Sequence, residues 1–567
     1  MFIQGAGAAE RTFDAIVIGS GISGGWAAKE LSEKGLRTLV LERGRDVKHP
    51  DYPTAMMESW QFAGRDRLSR ADVAKQEKQN RTGYTTHPAS AHWFVNDVEN
   101  PYSEVQRFDW MRGYHVGGRS LLWGRQSYRF NELDFEANAR DGIAVDWPLR
   151  YSDLAPWYDY VERFAGISGS REGLAQLPDG QFLPPMEMNC LERQVKDRIA
   201  RAFGGRPMII GRVANLTQPH NGRGNCQYRN RCIRGCPFGA YFSSNAATLP
   251  AAYATGKLTL RPFSIVTELL YDARTKRATG VRIVDAQTNQ STEYFARVIF
   301  LCASAIASTF ILLNSISERF PNGLGNDSGE LGHNLMDHHF KVGAGGVSDD
   351  FGDRFYRGQR PNGIYIPRFR NLDANSRQKD YIRGFGYQGS ASRRNWQRAV
   401  RELGIGGAFK DRAAEPGEWQ IGATAFGEIL PRHDNQVTLD KKRKDKWGLP
   451  VLAIDCETGE NERLMREDMK NDMAELLEAA GVRSVRTYDN GYAMGMGIHE
   501  MGTARMGNDP RTSVLNRWNQ VWDAPNVFVT DGSCMVSSSC VNPSLTYMAL
   551  TARAVDYAVG ELQRRNL

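Results

Sequence analysis

The first fifty residues combine apolar runs with a glycine-rich turn in an order that predicts a parallel α/β unit. Residues 13–18 form a short apolar run typical of a buried parallel strand. A helical pattern follows from about residue 25 to residue 34 and stops at Gly35, and residues 38–41 form a second apolar run. Between the first run and the helix the sequence reads GSGISG. The pattern therefore predicts a strand, a glycine turn, a helix and a second strand.

The glycine turn has the spacing of a dinucleotide-binding fingerprint. Gly19 would form the tight turn, Gly21 would let the backbone approach a pyrophosphate, and Gly24 would let the helix pack closely on the strand. Glu42, which follows the second strand, would accept a hydrogen bond from a ribose hydroxyl. With the strand, helix and acidic residue in place, the pattern indicates a Rossmann-like site, although it does not distinguish FAD from NAD.

Length and charge limit the classes of function. A chain of 567 residues is too long for one simple core. Its 72 Lys and Arg against 65 Asp and Glu give a net charge of +7 that is spread along the chain, so nucleic-acid binding is not expected. No apolar run of about 18 residues occurs, so we expect no transmembrane segment. The first residues lack the regions of an export signal, so this chain by itself is expected in the cytoplasm.

Three of the eight cysteines stand close together, at Cys226, Cys232 and Cys236, and Pro237 follows the last. Dense cysteines ending in Cys-Pro are typical of iron–sulfur ligand loops. The other five are scattered, unlike a secreted disulfide framework, and zinc would need a fourth ligand. We expect an iron–sulfur cluster, with 3Fe-4S favoured over a 4Fe-4S cluster that would use a distant ligand such as Cys190. Zinc or another metal, and unligated or redox thiols, are the alternatives.

Further motifs narrow the choice of dinucleotide. Residues 116–125 read VGGRSLLWGR, and residues 296–315 combine an apolar strand with a helical pattern. Four later segments complete the set, namely residues 332–338, 444–450, 499–507 and 526–542. In this order the segments resemble the signatures of the glucose–methanol–choline (GMC) oxidoreductases, which bind FAD. The fold that this resemblance implies is α/β, with a Rossmann-like FAD-binding domain and a discontinuous α+β substrate-binding domain.

The resemblance implies roles for individual residues. His499 falls where the family places its base, and a neutral imidazole can take a hydroxyl proton near working pH. Asn542 falls where the family uses His or Asn as the second catalytic group. Some sugar oxidases of the family bond the flavin to a histidine where this chain has Leu122, so we expect non-covalent FAD. The remaining implied FAD contacts are Gly118, Ser120, Trp123, Val266, Asp531 and Gly532.

The same resemblance predicts how the chain is divided. The FAD-binding domain with the cysteine loop is expected at residues 10–45, 107–150, 225–335 and 497–567. Residues 46–106 would form a lid or insertion, and residues 151–224 and 336–496 the substrate-binding domain. Four aromatic residues of the last segment could stack on sugar faces, although packing in the core is the favoured interpretation. They are Tyr356, Tyr365, Tyr387 and Trp396.

Within the family, the chain resembles bacterial FAD sugar dehydrogenase catalytic subunits with a cysteine-ligated cluster, including glucoside 3-dehydrogenases. This implies oxidation of a secondary hydroxyl of a sugar or glycoside, at C3 of a glucoside, with electrons passing from FAD through the cluster to a cytochrome c-type acceptor. It also implies a small helper subunit whose export signal would carry this chain to the periplasm. The alternatives are an oxygen-using pyranose or alcohol oxidase with structural cysteines, and a redox-inactive flavin-binding partner.

Overall fold

The computed structural model describes residues 10–62, 64, 67–354, 360–394, 405–491 and 493–567. The predicted N-terminal unit is confirmed: strand β1 spans Thr12–Ile18, a helix spans Ile22–Glu33, and β2 spans Thr38–Leu41. The helix begins three residues before the predicted position because Gly21 of the glycine turn is already its N-cap residue. The sequence pattern therefore located the unit and misjudged one boundary.

The largest sheet of the described chain has eight strands and holds the N-terminal unit. Its order is β16-β17-β8-β1-β2-β5, and β7 joins β6 to β8. Strands β17, β8, β1, β2 and β5 are parallel and are covered on both faces by apolar clusters, as parallel sheets require. The added strands are β5 Leu258–Arg261, β6 Ser264–Asp272, β7 Arg277–Asp285, β8 Ser291–Leu301, β16 Gln520–Val521 and β17 Ala524–Val529.

A second sheet has six antiparallel strands in the order β15-β9-β12-β11-β10-β4. Alternate residues of β12, such as Ile421 and Ala423, are buried under the helices Cys190–Ala202 and Glu460–Ala479, so one face is core and the other is polar. The strands are β4 Ile209–Ile210, β9 Val342–Ser348, β10 Ile364–Ile366, β11 Phe385–Arg393, β12 Trp419–Gly427 and β15 Arg483–Asp489.

The aromatic residues proposed as sugar platforms separate into two groups. Tyr365 and Tyr387 are both 0% exposed, so the core interpretation is confirmed for them. Tyr365 stacks on Tyr128 with ring centroids 4.2 Å apart, which explains its burial. Tyr356 and Trp396 lie outside the described residues.

The remaining elements complete the frame. A three-stranded sheet joins β13 Gln436–Lys444, β14 Pro450–Asp455 and β3 Ser103–Glu104. None of the helices in the described ranges is long and apolar enough to cross a membrane. Besides those above, the helices are Arg70–Lys75, Glu77–Asn80, Glu132–Asp141, Tyr151–Ala165, Thr248–Ala254, Ala305–Asn314, Gly407–Ala414 and Ser544–Gln563.

The strands of each large sheet come from distant parts of the chain. Those of the eight-stranded sheet fall within residues 12–41, 258–301 and 520–529, inside the segments expected for FAD binding. Those of the six-stranded sheet fall within 209–210 and 342–489, inside the segments expected for substrate binding. The domain boundaries themselves stay a prediction.

Candidate active site and cysteine loop

The parallel strands of the eight-stranded sheet end at one edge, which is where ligands of open α/β sheets bind. There the N–H of Gly19 donates to the carbonyl of Leu41 (2.8 Å), and the N–H of Thr530 donates to the carbonyl at the end of β8 (3.2 Å). Glu42 and Asp531 are the next residues along the chain from Leu41 and Thr530. Three predicted cofactor residues from distant parts of the sequence therefore lie at the same edge.

The three glycines of the turn have the geometry that a pyrophosphate site requires. Gly19 has φ +93°, a conformation that side chains disfavour. A Cβ on Gly24 would lie 2.0 Å from the Gly19 carbonyl oxygen, so only glycine allows this packing of helix on turn. A Cβ on Gly21 would meet nothing within 4 Å, so the space beside this backbone is open to a ligand at a helix N-terminus. The residues present thus fit a dinucleotide.

The Glu42 carboxylate is fixed beside this turn. It accepts hydrogen bonds from Ser20 N (3.1 Å), Ser20 Oγ (2.6 Å) and Gly44 N (2.8 Å). Burial raises the pKa of Glu42, while these three donors oppose the shift. A buried carboxylate at this position is suited to a ribose hydroxyl, which would add another donor.

Residues 116–125, the first of the segments that resemble family signatures and called the first signature below, pack directly on the glycine turn. Gly117 and Gly118 have positive φ, and Gly118–Leu121 forms a 3₁₀ turn. A Cβ on Gly118 would stand 3.4 Å from Gly21 Cα, so the two predicted segments meet. Ser120 Oγ donates to the Gly117 carbonyl (2.5 Å) and accepts from Ser244 N (3.0 Å), which ties the turn to a segment that the motifs did not include.

Asn245 lies in that added segment and leaves a polar atom for a ligand. Its Nδ2 donates to the carbonyls of Val47 (2.7 Å) and Val116 (3.3 Å), whereas its buried Oδ1 has no hydrogen-bond partner. The Oδ1 atom lies against Gly117, where a Cβ would approach it to 1.6 Å. An unpaired buried acceptor in this cradle is what a bound cofactor would satisfy.

The C-terminal cofactor residues join this cradle to the catalytic segment. Asp531 accepts from Ser308 Oγ (2.5 Å) of the helix Ala305–Asn314 and from Ser533 N (3.0 Å), and burial raises the pKa of Asp531. A Cβ on Gly532 would lie 2.3 Å from the Glu500 carbonyl oxygen, so Gly532 touches the residue next to His499. Gly532 therefore packs against the segment that carries the predicted base, and Asp531 ties the adjoining turn to the helix Ala305–Asn314.

Two of the implied FAD contacts, Trp123 and Val266, have positions fixed by a hydrogen bond and by burial respectively. The Trp123 indole N–H donates to the carbonyl of Phe242 (2.9 Å). Val266 is buried in β6, two residues after Ser264, whose N–H donates to the Glu42 carbonyl (2.8 Å). Trp123 therefore ties residues 116–125 to Phe242, and Val266 lies near the ribose-binding end of the cradle.

His499 is held in place by two carboxylates. Asp337 is buried and accepts from the backbone N–H of His499 (2.9 Å) and of Gly497 (2.9 Å). The neighbouring Glu500 forms a two-pronged ion pair with Arg119 of the first signature, at 3.0 and 2.6 Å. The segment that carries the predicted base is thus locked to the segment that carries the predicted flavin contacts.

A second histidine fixes the tautomer of His499. His338 Nε2 faces the carbonyl oxygens of Ser538 (3.1 Å) and Ser539 (2.8 Å), so it must carry a proton. His338 Nδ1 is then an acceptor in neutral His338, and His499 Nδ1, 3.0 Å away, must donate to it. Nε2 of His499 is left as an unprotonated base. Burial lowers the pKa of His338 to about 4, which keeps it neutral.

Burial, followed by His338 and Arg119, holds the pKa of His499 well below its ordinary value. The half-buried ring is therefore neutral at neutral pH. Within the described part of the chain, Nε2 of His499 has no hydrogen-bond partner. The geometry thus presents a neutral base with one available nitrogen.

Asn542 has a defined orientation as well. Its Oδ1 accepts from Gln388 Nε2 (2.5 Å), which leaves the Asn542 Nδ2 as a donor. Gln388 is on β11, and Phe426 on the adjacent β12 lies 6.4 Å from the His499 ring. The predicted base and its predicted helper therefore face neighbouring positions of one face of the six-stranded sheet.

The cysteine loop lies beside the first signature. Cys232–Arg234 forms a 3₁₀ turn that neighbours the turn Gly118–Leu121. Backbone N–H groups point at two of the sulfurs: Tyr228 N donates to Cys226 Sγ (3.4 Å), and the N–H groups of Ala240 and Phe238 point to Cys236. Burial raises the pKa of Cys226 to about 11.

The cysteine loop does not show the expected metal site. All three thiols are free, and within the described residues no three His, Cys, Asp or Glu side chains converge as ligands of one metal ion. Cys190, the considered fourth ligand, packs instead against the apolar core of the six-stranded sheet. The iron–sulfur cluster therefore stays a prediction.

Sequence reasoning missed the residues that orient the catalytic pair. His338 and Gln388 contact His499 and Asn542 from far away in the chain, at separations of 161 and 154 residues. His338 is the last residue of the segment 332–338, which resembles a family signature. Its membership of that segment was the available signal. Gln388 lies in none of the recognised motifs, so no signal in the sequence indicated its role.

Comparisons with known proteins agree with this geometry. Family models described as GMC oxidoreductase match residues 3–340 and 431–551. The chain is 30% identical to 2-methyl-1,2-propanediol dehydrogenase of Mycolicibacterium austroafricanum, over 96% of this chain and 94% of that protein. It is 26% identical to the fructose dehydrogenase large subunit of Gluconobacter japonicus, over 97% of this chain and 98% of that protein.

Among solved structures, pyridoxine 4-oxidase from Mesorbium loti has the same fold, with a TM-score of 0.60 and 17% identity over 96% of this chain and 99% of that chain. The matched models cover both the cofactor cradle and the segment with His499. The chain therefore belongs to the GMC oxidoreductase family, and it is an FAD-dependent oxidoreductase that acts on CH–OH groups.

Proposed function

We propose that this chain is a dehydrogenase that oxidises a secondary hydroxyl of a sugar or glycoside, at C3 of a glucoside. The observation that carries the proposal is the His499–His338 pair, which offers an unprotonated Nε2 beside the cofactor cradle. The similarity to a fructose dehydrogenase large subunit along nearly the whole chain supports a sugar as substrate. Gln388 and Phe426 share the polar face of the six-stranded sheet. This face forms the wall of the active site opposite the cofactor cradle.

The proposed mechanism assigns the proton to His499. An alcohol hydroxyl has a high pKa, so its proton must pass to a positioned base as the C–H bond breaks. His499 Nε2 takes that proton, and Asn542 Nδ2 donates to the substrate oxygen without adding charge. Bound FAD supplies the hydride-accepting chemistry. The Arg119–Glu500 pair holds the base at a constant distance from the cofactor cradle.

His338 should be needed as an acceptor. We expect His338→Leu to slow flavin reduction by at least about tenfold, because the buried Nδ1–H of His499 loses its partner and the tautomer is no longer fixed. His338→Asn, whose side-chain oxygen can accept, should retain more of the rate. Anaerobic stopped-flow absorbance measures both. Equal rates in the two variants would show that His338 only fills space.

FAD should leave the protein on acid precipitation. Leu122, which is half-buried and packs beside Leu121, has no nucleophilic atom for a covalent link to the flavin. The measurement is the flavin absorbance of the supernatant after precipitation. Yellow colour that remains in the washed pellet would contradict this expectation.

For the cysteine loop we propose an iron–sulfur cluster, 3Fe-4S in preference to 4Fe-4S. In such a cluster each iron takes its own thiolate, so the three thiols need not meet at one ion. Free thiols with raised pKa values would be neutral, whereas a metal deprotonates them, and the N–H groups directed at Cys226 and Cys236 would then stabilise thiolates. A cluster at this position would supply one-electron transfer next to the first signature.

The surface around this loop supports the proposed redox partners. Met56 and Trp60 are 64% and 79% exposed, and Tyr228 and Phe238 of the loop are exposed as well. These are four of the ten large apolar side chains exposed in the described ranges. Interfaces favour aromatic residues, Met and Arg. We propose this face for a cytochrome c-type acceptor.

Arginines of the same loop complete the face. Arg231 pairs with Glu58 (2.5 Å), and Arg234 donates to the carbonyl of Met57 (2.9 Å), so the loop and the segment around residue 57 form one surface. A small helper subunit with an export signal is the proposed second partner, and the periplasm is the proposed location. Without such a partner, the alternative location is the cytoplasm.

A sugar panel with a dye acceptor tests the function. Turnover with dye and little turnover with oxygen, together with product NMR that shows a ketone on a ring carbon, would support the dehydrogenase. Rapid peroxide formation from oxygen would instead favour the alternative, an oxidase with structural cysteines. Absence of flavin bleaching by any sugar or alcohol would leave only a redox-inactive flavin-binding partner.

A further inference from the structure

We propose that the outer part of the six-stranded sheet is a second sugar subsite, which binds the distal unit of a glycoside while the proximal unit is oxidised at His499. This inference rests on the proposed function. The region is a groove of about 610 Å³, within the roughly 300–1,000 Å³ of small-molecule sites. Six of its lining residues are Gly345, Gly422, Ser390, Ser392, Gln420 and Arg486.

Sheet register places this groove on the same face as the catalytic pair. Side chains alternate between the two faces of a strand, so Gln388, Ser390 and Ser392 share one face of β11. Gln388 contacts Asn542, and Ser390 and Ser392 line the groove. The buried residues between them, Tyr387 and Ala391, belong to the core on the other side.

The neighbouring strands extend the same rows. Gln388 is paired with Thr424 of β12, and Ser390 is paired with Gly422, which in turn is paired with Gly345 of β9. Successive same-face rows of a strand are about 7 Å apart. The groove therefore begins one row beyond the residue that orients Asn542, on the order of one sugar ring away.

The row between the two sites carries an aromatic side chain. The Tyr488 hydroxyl hydrogen-bonds Thr424 Oγ1 (2.7 Å), and a Cβ on Gly343 would lie 3.1 Å from that hydroxyl. The Tyr488 side chain thus extends over the sheet surface at Gly343, in the row between His499 and the groove. An aromatic side chain at this point suits the linkage and ring face of a bound glycoside.

The groove itself has a small floor and a polar rim. Gly345 and Gly422 have no side chains, so a flat ring can lie close to the sheet. Ser390 and Ser392 offer hydroxyls. Arg486 has no ion pair or hydrogen bond within the described ranges, which leaves its guanidinium available for the oxygens of a second sugar.

Discrimination between one-unit and two-unit substrates tests the subsite. The one-unit probe is methyl α-D-glucopyranoside, and the two-unit probes are maltose, cellobiose and sucrose. We expect Ser390→Trp, which fills the groove, and Arg486→Ala, which removes a charged donor, to lower kcat/KM for the best disaccharide about tenfold more than for the methyl glycoside. Arg483→Ala, on the same strand but outside the groove, is the matched control and should change neither.

Direct binding separates failure of the subsite from failure of the function. Saturation-transfer NMR of the FAD-loaded wild type and Ser390→Trp, each with a disaccharide, needs no turnover. Binding that the substitution weakens, without oxidation, would overturn the dehydrogenase proposal and retain the subsite. Oxidation with equal losses for both probe classes, or no disaccharide binding by the wild type, would overturn the subsite.

Discussion

Replacing His499 by Ala should slow flavin reduction by the sugar substrate by at least about a hundredfold, the low end of general-base effects. The variant removes His499 Nε2, which the hydrogen bonds among the described residues leave unprotonated and available, since Nδ1 of the same ring is committed to His338. Water cannot replace it efficiently, because the hydroxyl proton would go to a far weaker and unpositioned base. Anaerobic stopped-flow bleaching of the flavin gives the rate directly, without contributions from the later electron acceptor.

Two controls make this result specific. His433→Ala removes a histidine whose side chain is 62% exposed, and it should leave the rate unchanged. The wild-type profile of kcat/KM should also stay flat as the pH falls through about 6.5, the ordinary histidine pKa. The base must be deprotonated to work, and burial lowers the pKa of His499, so activity is lost only at lower pH. Near-normal reduction in His499→Ala with full FAD content would remove His499 from the mechanism.

The sequence predicted those parts of the site that depend on neighbouring residues. The glycine turn could be read because Gly19, Gly21 and Gly24 act through local backbone geometry, and each glycine has a local reason in the structure. Glu42 could be predicted as the ribose-binding acid because one helix and one strand of ordinary length separate it from the glycine turn. The resemblance of residues 296–315 to a family signature implied a buried strand that leads into a helix, and both are present as β8 and the helix Ala305–Asn314.

The rest depended on pairings that no local pattern encodes. The acceptor role of His338 follows from two carbonyls some two hundred residues away, at Ser538 and Ser539. The orientation of Asn542 depends on Gln388, whose position is set by the register of the six-stranded sheet. The start of the first helix was misplaced because a glycine N-cap gives no side-chain signal.

The cysteine triplet is the part of the sequence prediction with the largest remaining consequence. If the three thiols hold a cluster, Cys232→Ser should remove most of the bound iron and acid-labile sulfide and lower turnover with a one-electron acceptor by at least about tenfold, or ~1.4 kcal/mol in the apparent barrier. Cys232 is only half-buried, so this substitution perturbs the fold less than one at the buried Cys226. Metal analysis and steady-state assays with cytochrome c measure the two effects.

The diagnostic outcome is that Cys232→Ser separates the two halves of the reaction. His499 and the cofactor cradle lie outside the cysteine loop, so flavin bleaching by sugar should continue at the normal rate. Electron transfer from the reduced flavin to the acceptor should fail. Cys190→Ser is the matched control, because Cys190 packs in the other core and should matter only if a 4Fe-4S cluster recruits it. Wild-type protein without iron, or a Cys232→Ser variant with full acceptor turnover, would return the cysteines to a structural role. The oxidase alternative would then be the better account of where the electrons go.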